Sequence, residues 1–460
     1  MSKSFSHINI SERKLLLRFF DVLFPLFFLW ITSVYSDYAY FNFSNPKILV
    51  WCLVLSFYIV LFGEIFQLYN LKTTYSRYIV FRNVFITSLV VTIAYIFTPI
   101  VSPLLPHERV HILYFFLLIT FSIFSWRILY LAVLYKPKYF KSIVIIGGKE
   151  NVKRLLSIIN VKQQHNIINY ISDTNIDESD KFLDINNVNI YDECLNANVS
   201  EVIVSTDNLS NELTNKLNKE MILLFEKGIN ITSFESYYED NTDRIPKEYL
   251  DHNFYKKISY SENNYNRMYL FIHRVVDVLV SIFGLISFLL ILPFIFVGNL
   301  LGNRGSIFYT QERVGLKGEK FKIYKLRSMV SNAEQNGAVW AVKNDVRITS
   351  FGKFLRKTRL DEVPQFINIL KGEMSLIGPR PERPEFVDKL KKEIPFYAIR
   401  NVIRPGLTGW AQVNYPYANT IEEQEKKLRY DLYYIKERST FLDFKVLIKT
   451  ISTILLFKGQ

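Results

Sequence analysis

Four long apolar runs fill the first third of the chain, at residues 19–35, 48–69, 79–101 and 110–135. Each has about the length that crosses ~30 Å of hydrocarbon as a helix. The pattern therefore predicts four transmembrane helices within residues 1–140. Arg82 and Asn83 fall near the start of the third run, where a side chain reaches the interface cheaply. Glu64 in the second run and Arg127 in the fourth stand closer to an end than to the middle. Packing within the bundle or interfacial snorkelling accounts for them more simply than a polar path through the membrane.

Basic residues sort the connecting segments. Lys3, Arg13, Lys14 and Arg18 precede the first run, Lys72 and Arg77 separate the second from the third, and Lys136, Lys138 and Lys141 follow the fourth. The remaining two loops carry Lys47 and Arg109. The positive-inside rule then places the N-terminus, and everything after Lys136, in the cytoplasm. No small-residue cleavage site follows the first run, so a cleaved signal peptide is not expected.

From residue 142 to 234 the pattern changes to short buried strands alternating with amphipathic helices. Strands are expected at 143–146, 199–205 and 229–234, and helices at 152–159 and 214–227. That order argues a small parallel α/β domain, Rossmann-like, over residues 141–240. Gly147-Gly148 sits where a phosphate loop would, but Val152, Lys153 and Arg154 follow without the third glycine of the dinucleotide fingerprint. A sugar-nucleotide oxidoreductase or dehydratase would need that fingerprint. Residues 241–266 are polar and are expected as a linker.

A fifth apolar run covers residues 275–301 and is nearly free of charge after Asp277. It is long enough to span, yet a block with a net charge of +9 follows between Leu301 and Leu360. Export of that block would violate the charge bias. A re-entrant helix over about 270–301 resolves the conflict if it enters one leaflet, bends at Pro293 and returns, because proline removes a backbone donor there.

Composition narrows the class without naming the chemistry. At 460 residues, 49% hydrophobic and 22% charged, the chain is part membrane and part soluble, in two or three units. A formal charge of +13 suits anionic lipid headgroups. No nucleic-acid-binding module is visible, so no nucleic acid is expected as a partner. Cys52 and Cys194 give neither a disulfide framework nor a metal spacing.

The last third carries the chemistry. Residues 321–329 alternate as a strand and deliver Lys325 and Arg327 at its end. Asp361 and Glu362 form an adjacent acidic pair among arginines. Taken alone, Asp361 reads as the cap of a helix whose first turn holds Glu362 and Pro364, and a carboxylate at such a helix end can also attack phosphorus or hold Mg²⁺. Arg380, in a Pro-flanked turn, offers a planar fork for phosphate oxygens.

Residues 267–459 resemble the bacterial polyprenyl-phosphate hexose-1-phosphate transferases, the monotopic phosphoglycosyl transferases. Six blocks carry the resemblance in order: Gln311-Glu312-Arg313-Val314-Gly315, Tyr324-Lys325-Leu326-Arg327-Ser328-Met329, Leu360-Asp361-Glu362-Val363-Pro364-Gln365, Met374-Ser375-Leu376-Ile377-Gly378-Pro379-Arg380-Pro381, Pro405-Gly406-Leu407-Thr408-Gly409-Trp410-Ala411-Gln412-Val413, and Tyr430-Asp431-Leu432-Tyr433-Tyr434-Ile435. The preceding spans and α/β domain look like the family's long form.

The resemblance implies a catalytic domain at 267–460 that moves a hexose 1-phosphate from a UDP-sugar, glucose or galactose favoured, to undecaprenyl phosphate. It makes Asp361 the nucleophile of a covalent phosphosugar intermediate that releases UMP, with Mg²⁺ near Asp361. It makes Glu362 the support of that nucleophile and a helper in deprotonating the acceptor. Arg380 matches the family's phosphate-binding arginine, and Lys325, Arg327, Gln365 and Arg383 are assigned to substrate binding. The family's re-entrant helix breaks at a proline, matching Pro293; the serine that precedes it in small members is Leu292 here. The implied setting is the bacterial inner membrane, catalytic domain toward the cytoplasm, feeding capsule, exopolysaccharide or O-antigen synthesis. An aromatic-rich bundle with a central domain also offers surface for a homodimer. The competing class, a non-catalytic scaffold, is disfavoured by intact Asp361, Glu362 and Arg380.

Overall fold

The computed structural model describes residues 10–35, 40–69, 77–106, 108–133, 141–162, 165–175, 181–206, 209–250, 261–330, 333, 345–394, 396–415 and 418–455. The chain divides into two compact units, Met1–Tyr237 and Tyr238–Gln460.

The first unit begins with α1 (Ile10–Tyr35), α2 (Ile48–Ile65), α3 (Arg77–Ile96) and α4 (Val110–Val133). Each is long and apolar enough to cross a membrane. They close on an aromatic core that includes Phe41, Tyr95 and Phe115, the last two rings stacked at 5.4 Å. The charges inside the apolar runs pair within the bundle. Arg127 and Asp21 are both fully buried and ion-paired, and Arg127 also donates to the Leu68 carbonyl at 3.0 Å. Arg18 pairs with Glu64.

The α/β region follows as β1 (Lys141–Ile146), α5 (Lys149–Lys162), β2 (His165–Ser172), β3 (Phe182–Asp184), α6 (Ile190–Asn196), β4 (Glu201–Val204), α7 (Asn211–Glu226) and β5 (Asn230–Ser233), after which comes α8 (Phe234–Thr242). The five strands are parallel, in the order β3-β2-β1-β4-β5. At the carboxyl ends of β1 and β4, buried Asn151 donates to Ser205 Oγ at 2.8 Å. Gly147 has φ of 157°, and a β-carbon there would lie 3.0 Å from Ser205. At the phosphate-loop position Asn151 and Ser205 are thus already paired with each other.

Part of the expected linker lies in the core of the second unit, while residues 251–260 fall outside the described residues. Ile245 and Leu250 are buried in the same core as Trp410 and Leu432. Trp410 Nε1 donates to the Asp243 carbonyl at 2.8 Å, and Arg429 Nε to that of Ile245 at 2.8 Å. The polar composition of residues 241–266 concealed two apolar anchors.

The fifth apolar run forms one helix, labelled α9 here (Arg267–Gly302), with Pro293 inside it. The expected interruption at Pro293 is absent: helical structure continues on both sides of it. Pro293 removes one backbone donor, a loss that can kink a helix without ending it. The second unit packs along the whole of α9. Arg274 Nη2 donates to the Leu370 carbonyl at 2.8 Å, and Asp277 accepts from the Leu376 amide at 2.9 Å. At Gly284 a β-carbon would lie 2.4 Å from the Phe366 ring. At the far end Asn303 Nδ2 donates to the Arg327 carbonyl at 2.7 Å. The opposite face stays apolar and exposed, with Phe283, Leu290, Phe294 and Leu301.

Beyond α9, β6 (Phe308–Val314) and β7 (Lys320–Leu326) pair as an antiparallel hairpin. Then come α10 (Ser350–Thr358), a 3-10 turn (Leu360–Gln365), α11 (Phe366–Lys371), β8 (Ser375–Ile377), α12 (Pro384–Glu393), β9 (Gly406–Thr408), α13 (Trp410–Asn414), α14 (Ile421–Lys436) and α15 (Thr440–Leu455). β8 and β9 run parallel and hold the Pro-Arg-Pro turn between the hairpin and α14.

Candidate active site

The acidic pair is placed by an unusual junction. Thr349 caps α10 by accepting from the Gly352 amide, and the helix ends at Arg359 with φ of 59°. That left-handed conformation is disfavoured by roughly 1–2 kcal/mol for a residue with a β-carbon. Such strain persists only where the surroundings over-determine it, which happens at functional sites. Asp361 does not take the capping position. Arg359 occupies it, and Asp361 and Glu362 lie inside the 3-10 turn, each 8% exposed.

The two carboxylates have opposite environments. Glu362 Oε1 accepts from Arg380 Nη2 at 2.9 Å and lies 3.4 Å from Lys325 Nζ; its Oε2 lies 3.5 Å from Arg359 Nη1. Burial works against its charge, but Arg380, Lys325 and Arg359 outweigh burial and hold it well below the usual carboxylate range. Asp361 Oδ1 is buried with no hydrogen-bond partner among the described residues. Burial and repulsion from Glu362 push the Asp361 carboxyl up to about 6. Burial likewise lowers the Lys325 ammonium to about 8.

An unpartnered buried carboxylate oxygen fits a divalent cation. No cluster of three His, Cys, Asp or Glu side chains exists among the described residues. A protein cage is therefore not offered, but Mg²⁺ is commonly held by one or two carboxylates plus substrate phosphates. Asp361 alone meets that requirement.

A second layer fixes the Pro-Arg-Pro turn. Arg400 Nη2 donates to the Arg380 carbonyl at 2.9 Å and lies 2.8 Å from Asp431 Oδ2. Lys427 pairs with Glu382 at 2.7 Å. A cavity of about 430 Å³ opens beside Arg359, Glu362 and Arg380 and extends to α15.

The structure joins most of the residues singled out from sequence, not all. Lys325, Glu362 and Arg380 meet directly. Gln365 shares with Lys325 and Arg380 a separate cleft of about 10 Å³, room for a water at most. Arg327 turns elsewhere: Nη2 donates to the Asn303 carbonyl at 2.9 Å, at the end of α9. Arg383 precedes α12, its Nε 3.6 Å from Glu385 Oε2 and its guanidinium over the Phe386 ring. Sequence reasoning missed Arg359, whose clamp on Glu362 was signalled by the three-residue spacing. It also missed Arg400 and Lys427, whose partners lie about 30 to 45 residues away.

A buried carboxylate with an unpaired oxygen stands beside a second carboxylate held by three cations, on a chain whose described residues include five helices long and apolar enough to cross a membrane. The chain belongs to the bacterial sugar transferase family, whose model matches residues 268–457. It is 46% identical over 188 residues to the UDP-N-acetylgalactosamine-undecaprenyl-phosphate N-acetylgalactosaminephosphotransferase of Aeromonas hydrophila, covering 41% of this chain and 44% of that protein. It is 39% identical over 188 residues to the UDP-glucose:undecaprenyl-phosphate glucose-1-phosphate transferase of Klebsiella pneumoniae, covering 40% and 39%. The sugar transferase EpsL of Bacillus subtilis, whose activity is uncharacterized, is 34% identical over 194 residues, covering 41% of this chain and 90% of that protein. The matched stretch thus spans less than half the length of the Aeromonas and Klebsiella relatives.

Proposed function

We propose that this protein transfers a hexose 1-phosphate from a UDP-sugar to undecaprenyl phosphate, releasing UMP, at the cytoplasmic face of the bacterial inner membrane. The observation that carries the reading is the asymmetry of the acidic pair: Asp361 with an unbonded oxygen, Glu362 locked by Arg380, Lys325 and Arg359. The names of the Aeromonas and Klebsiella relatives support the substrates.

In the first step a carboxylate oxygen of Asp361 attacks the phosphorus that bears the sugar. The P–O bond to UMP breaks, and its electron pair leaves on UMP. In the second step an oxygen of undecaprenyl phosphate attacks the same phosphorus, and the bond to Asp361 breaks to return the carboxylate. Arg380 and Lys325 stand where they oppose the charge on the transferred phosphoryl group. Glu362, held so far below the usual range, is a weak base, and a phosphate monoester is already largely ionised near neutral pH. Its role is to hold the two cations rather than to take a proton. Bound Mg²⁺, held by Asp361 with the donor's diphosphate, would offset charge on that diphosphate.

We also read α9 as re-entrant. The same charged unit grips Arg274 and Asp277 near one end and Asn303 at the other. A helix so held cannot carry its two ends to opposite faces of a bilayer without burying that unit's charge. The central sheet we read as Rossmann-like on its strand order, without a nucleotide role, because Asn151 and Ser205 close the crevice at the carboxyl ends of β1 and β4.

The test is UMP release from a panel of UDP-sugars in nanodiscs with Mg²⁺ and undecaprenyl phosphate. Acceptor-dependent release that Asp361→Ala abolishes is expected. Full turnover in Asp361→Ala would overturn Asp361 as the nucleophile; no turnover in folded wild type with any nucleotide sugar would leave the scaffold reading standing.

A further inference from the structure

Near the start of α9 a histidine stands between two carboxylates. His273 Nδ1 lies 3.8 Å from Asp277 Oδ2, one turn along the same helix, and its Nε2 lies 3.6 Å from Asp443 Oδ2 on α15. Asp277 and Asp443 are buried, and the His273 side chain is 13% exposed. The hydrogen bonds around the ring leave it facing acceptors. Asp277 Oδ1 accepts from the Leu376 amide at 2.9 Å and from Ser375 Oγ at 3.2 Å. Ser375, its one proton given to Asp277, turns its oxygen to His273 Nδ1 at 3.4 Å. Asp443 Oδ1 accepts from Tyr434 Oη at 2.5 Å, and its Oδ2 accepts from Tyr269 Oη. Burial holds the Tyr434 hydroxyl well above its ordinary value, so it stays a donor. Both ring nitrogens therefore meet acceptors, whereas a neutral imidazole carries a hydrogen on one nitrogen only. Arg438, also buried, stacks on the Tyr269 ring at 5.1 Å and is a second cation beside Asp443. Arg274, next along the helix, turns away to the Ile369 and Leu370 carbonyls. An imidazolium thus balances two negative charges with two positive ones; a neutral ring leaves one buried negative charge over.

The cluster reaches two walls of the cavity beside Glu362 and Arg380. Leu376, whose amide Asp277 holds, lines that cavity, and so do Leu447 and Thr450, one and two turns beyond Asp443 on α15. We propose that His273 is a positioning residue that works as an imidazolium: its charge ties α9 and α15 to β8, and loss of its proton loosens both walls and slows transfer. Attraction to the carboxylates exists only for the protonated ring, so its contribution is present at low pH and is lost as pH rises through the histidine's titration. The enzyme thereby carries a brake that engages on the alkaline side. The structural half of this inference stands by itself, and the kinetic half rests on the transferase reading.

The experiment follows melting and kcat/KM of the full-length enzyme in nanodiscs from about pH 6 to about pH 8, for wild type, His273→Lys and His273→Gln. Lysine keeps a cation that does not titrate in this range, and glutamine keeps none. Wild type matches His273→Lys at the acid end and falls toward His273→Gln at the alkaline end, by a few degrees in melting and at least about 5-fold in kcat/KM. The acidic limb set by Asp361 is common to all three and cancels in their ratios. Asp443→Asn, made in the wild type, shrinks the pH step. Differences between wild type and the variants that stay constant with pH overturn the proposal, as does His273→Lys no better than His273→Gln at any pH. A step undiminished in Asp443→Asn overturns it too, and that comparison decides the matter where neither His273 variant folds. A melting step beside a constant kcat/KM ratio overturns the positioning role. A folded wild type idle on every UDP-sugar removes the transferase reading and the kinetic half with it, and the melting curves still decide the structural half.

Discussion

Arg380 Nη2 stands 2.9 Å from Glu362 Oε1, and this bond is what separates the roles of two neighbouring carboxylates. It draws Glu362 into a cationic cluster, while burial and the neighbouring Glu362 charge raise the Asp361 carboxyl against the pull of Lys325, Arg356 and Arg359. Two adjacent acids in one sequence motif thereby differ: Glu362 is anchored, and Asp361 is the one that the proposed mechanism makes the nucleophile.

Lys325 and Arg327 sit two residues apart on one strand pattern, yet the structure sends them to different tasks. Lys325→Ala removes a cation from the Glu362 cluster and lowers kcat/KM by about 100-fold or more. Arg327→Ala strips a donor from the Asn303 carbonyl at the end of α9. Its expected loss is about 1–3 kcal/mol of stability, with kcat/KM falling less than about 10-fold. Parallel steady-state kinetics and melting curves check the split, and an equal catalytic loss in both would reverse the assignment of Arg327.

The raised Asp361 carboxyl sets an acidic limb on activity. A protonated carboxyl cannot attack phosphorus, so the rate of donor cleavage falls as pH drops through about 6. A cation at Asp361 Oδ1 favours the ionised form. Raising Mg²⁺ therefore moves the limb to lower pH in rapid-quench measurements; a limb that stays fixed across Mg²⁺ concentrations argues against Asp361 as the ligand.

Glu382 and Lys427 form a nearly buried pair behind the Pro-Arg-Pro turn. Glu382→Gln leaves Lys427 without its counter-charge, a change expected to cost about 3–5 kcal/mol. Burial opposes the Glu382 charge, but Lys427 and Arg400 prevail and hold the carboxyl at about 2, below its ordinary 4.5. A depressed folded-state value means the stabilisation is complete above 4.5 and is lost as pH falls from there toward 2. Melting of the wild type should decline across that window more steeply than melting of Glu382→Gln.

What could be read from sequence follows the range of the interaction. The four apolar runs and the α9 run are legible because each declares itself over 17 or more consecutive residues. Their ends shifted by a few residues, and α1 begins earlier, at Ile10, because Arg13, Lys14 and Arg18 extend it as a helix without extending the apolar pattern. β2 and β3 went unseen: Asn166 and Asn169 interrupt the first, and the second is three residues long. Asp361, Glu362 and Arg380 stood out as residue types in rigid local settings. The Arg327 contact with Asn303, and the burial of Ile245 beside Trp410, depend on chain segments far apart and leave no local pattern.

The covalent step is the centre of the account, and intact-protein mass spectrometry after mixing enzyme, Mg²⁺ and donor without acceptor tests it most directly. The expected result is a wild-type adduct of one hexose phosphate, with stoichiometric UMP, that undecaprenyl phosphate discharges; Asp361→Asn forms none. Donor cleavage that begins only when acceptor is added, with no adduct at any time in a fully active enzyme, would contradict it and point to direct transfer between the two substrates.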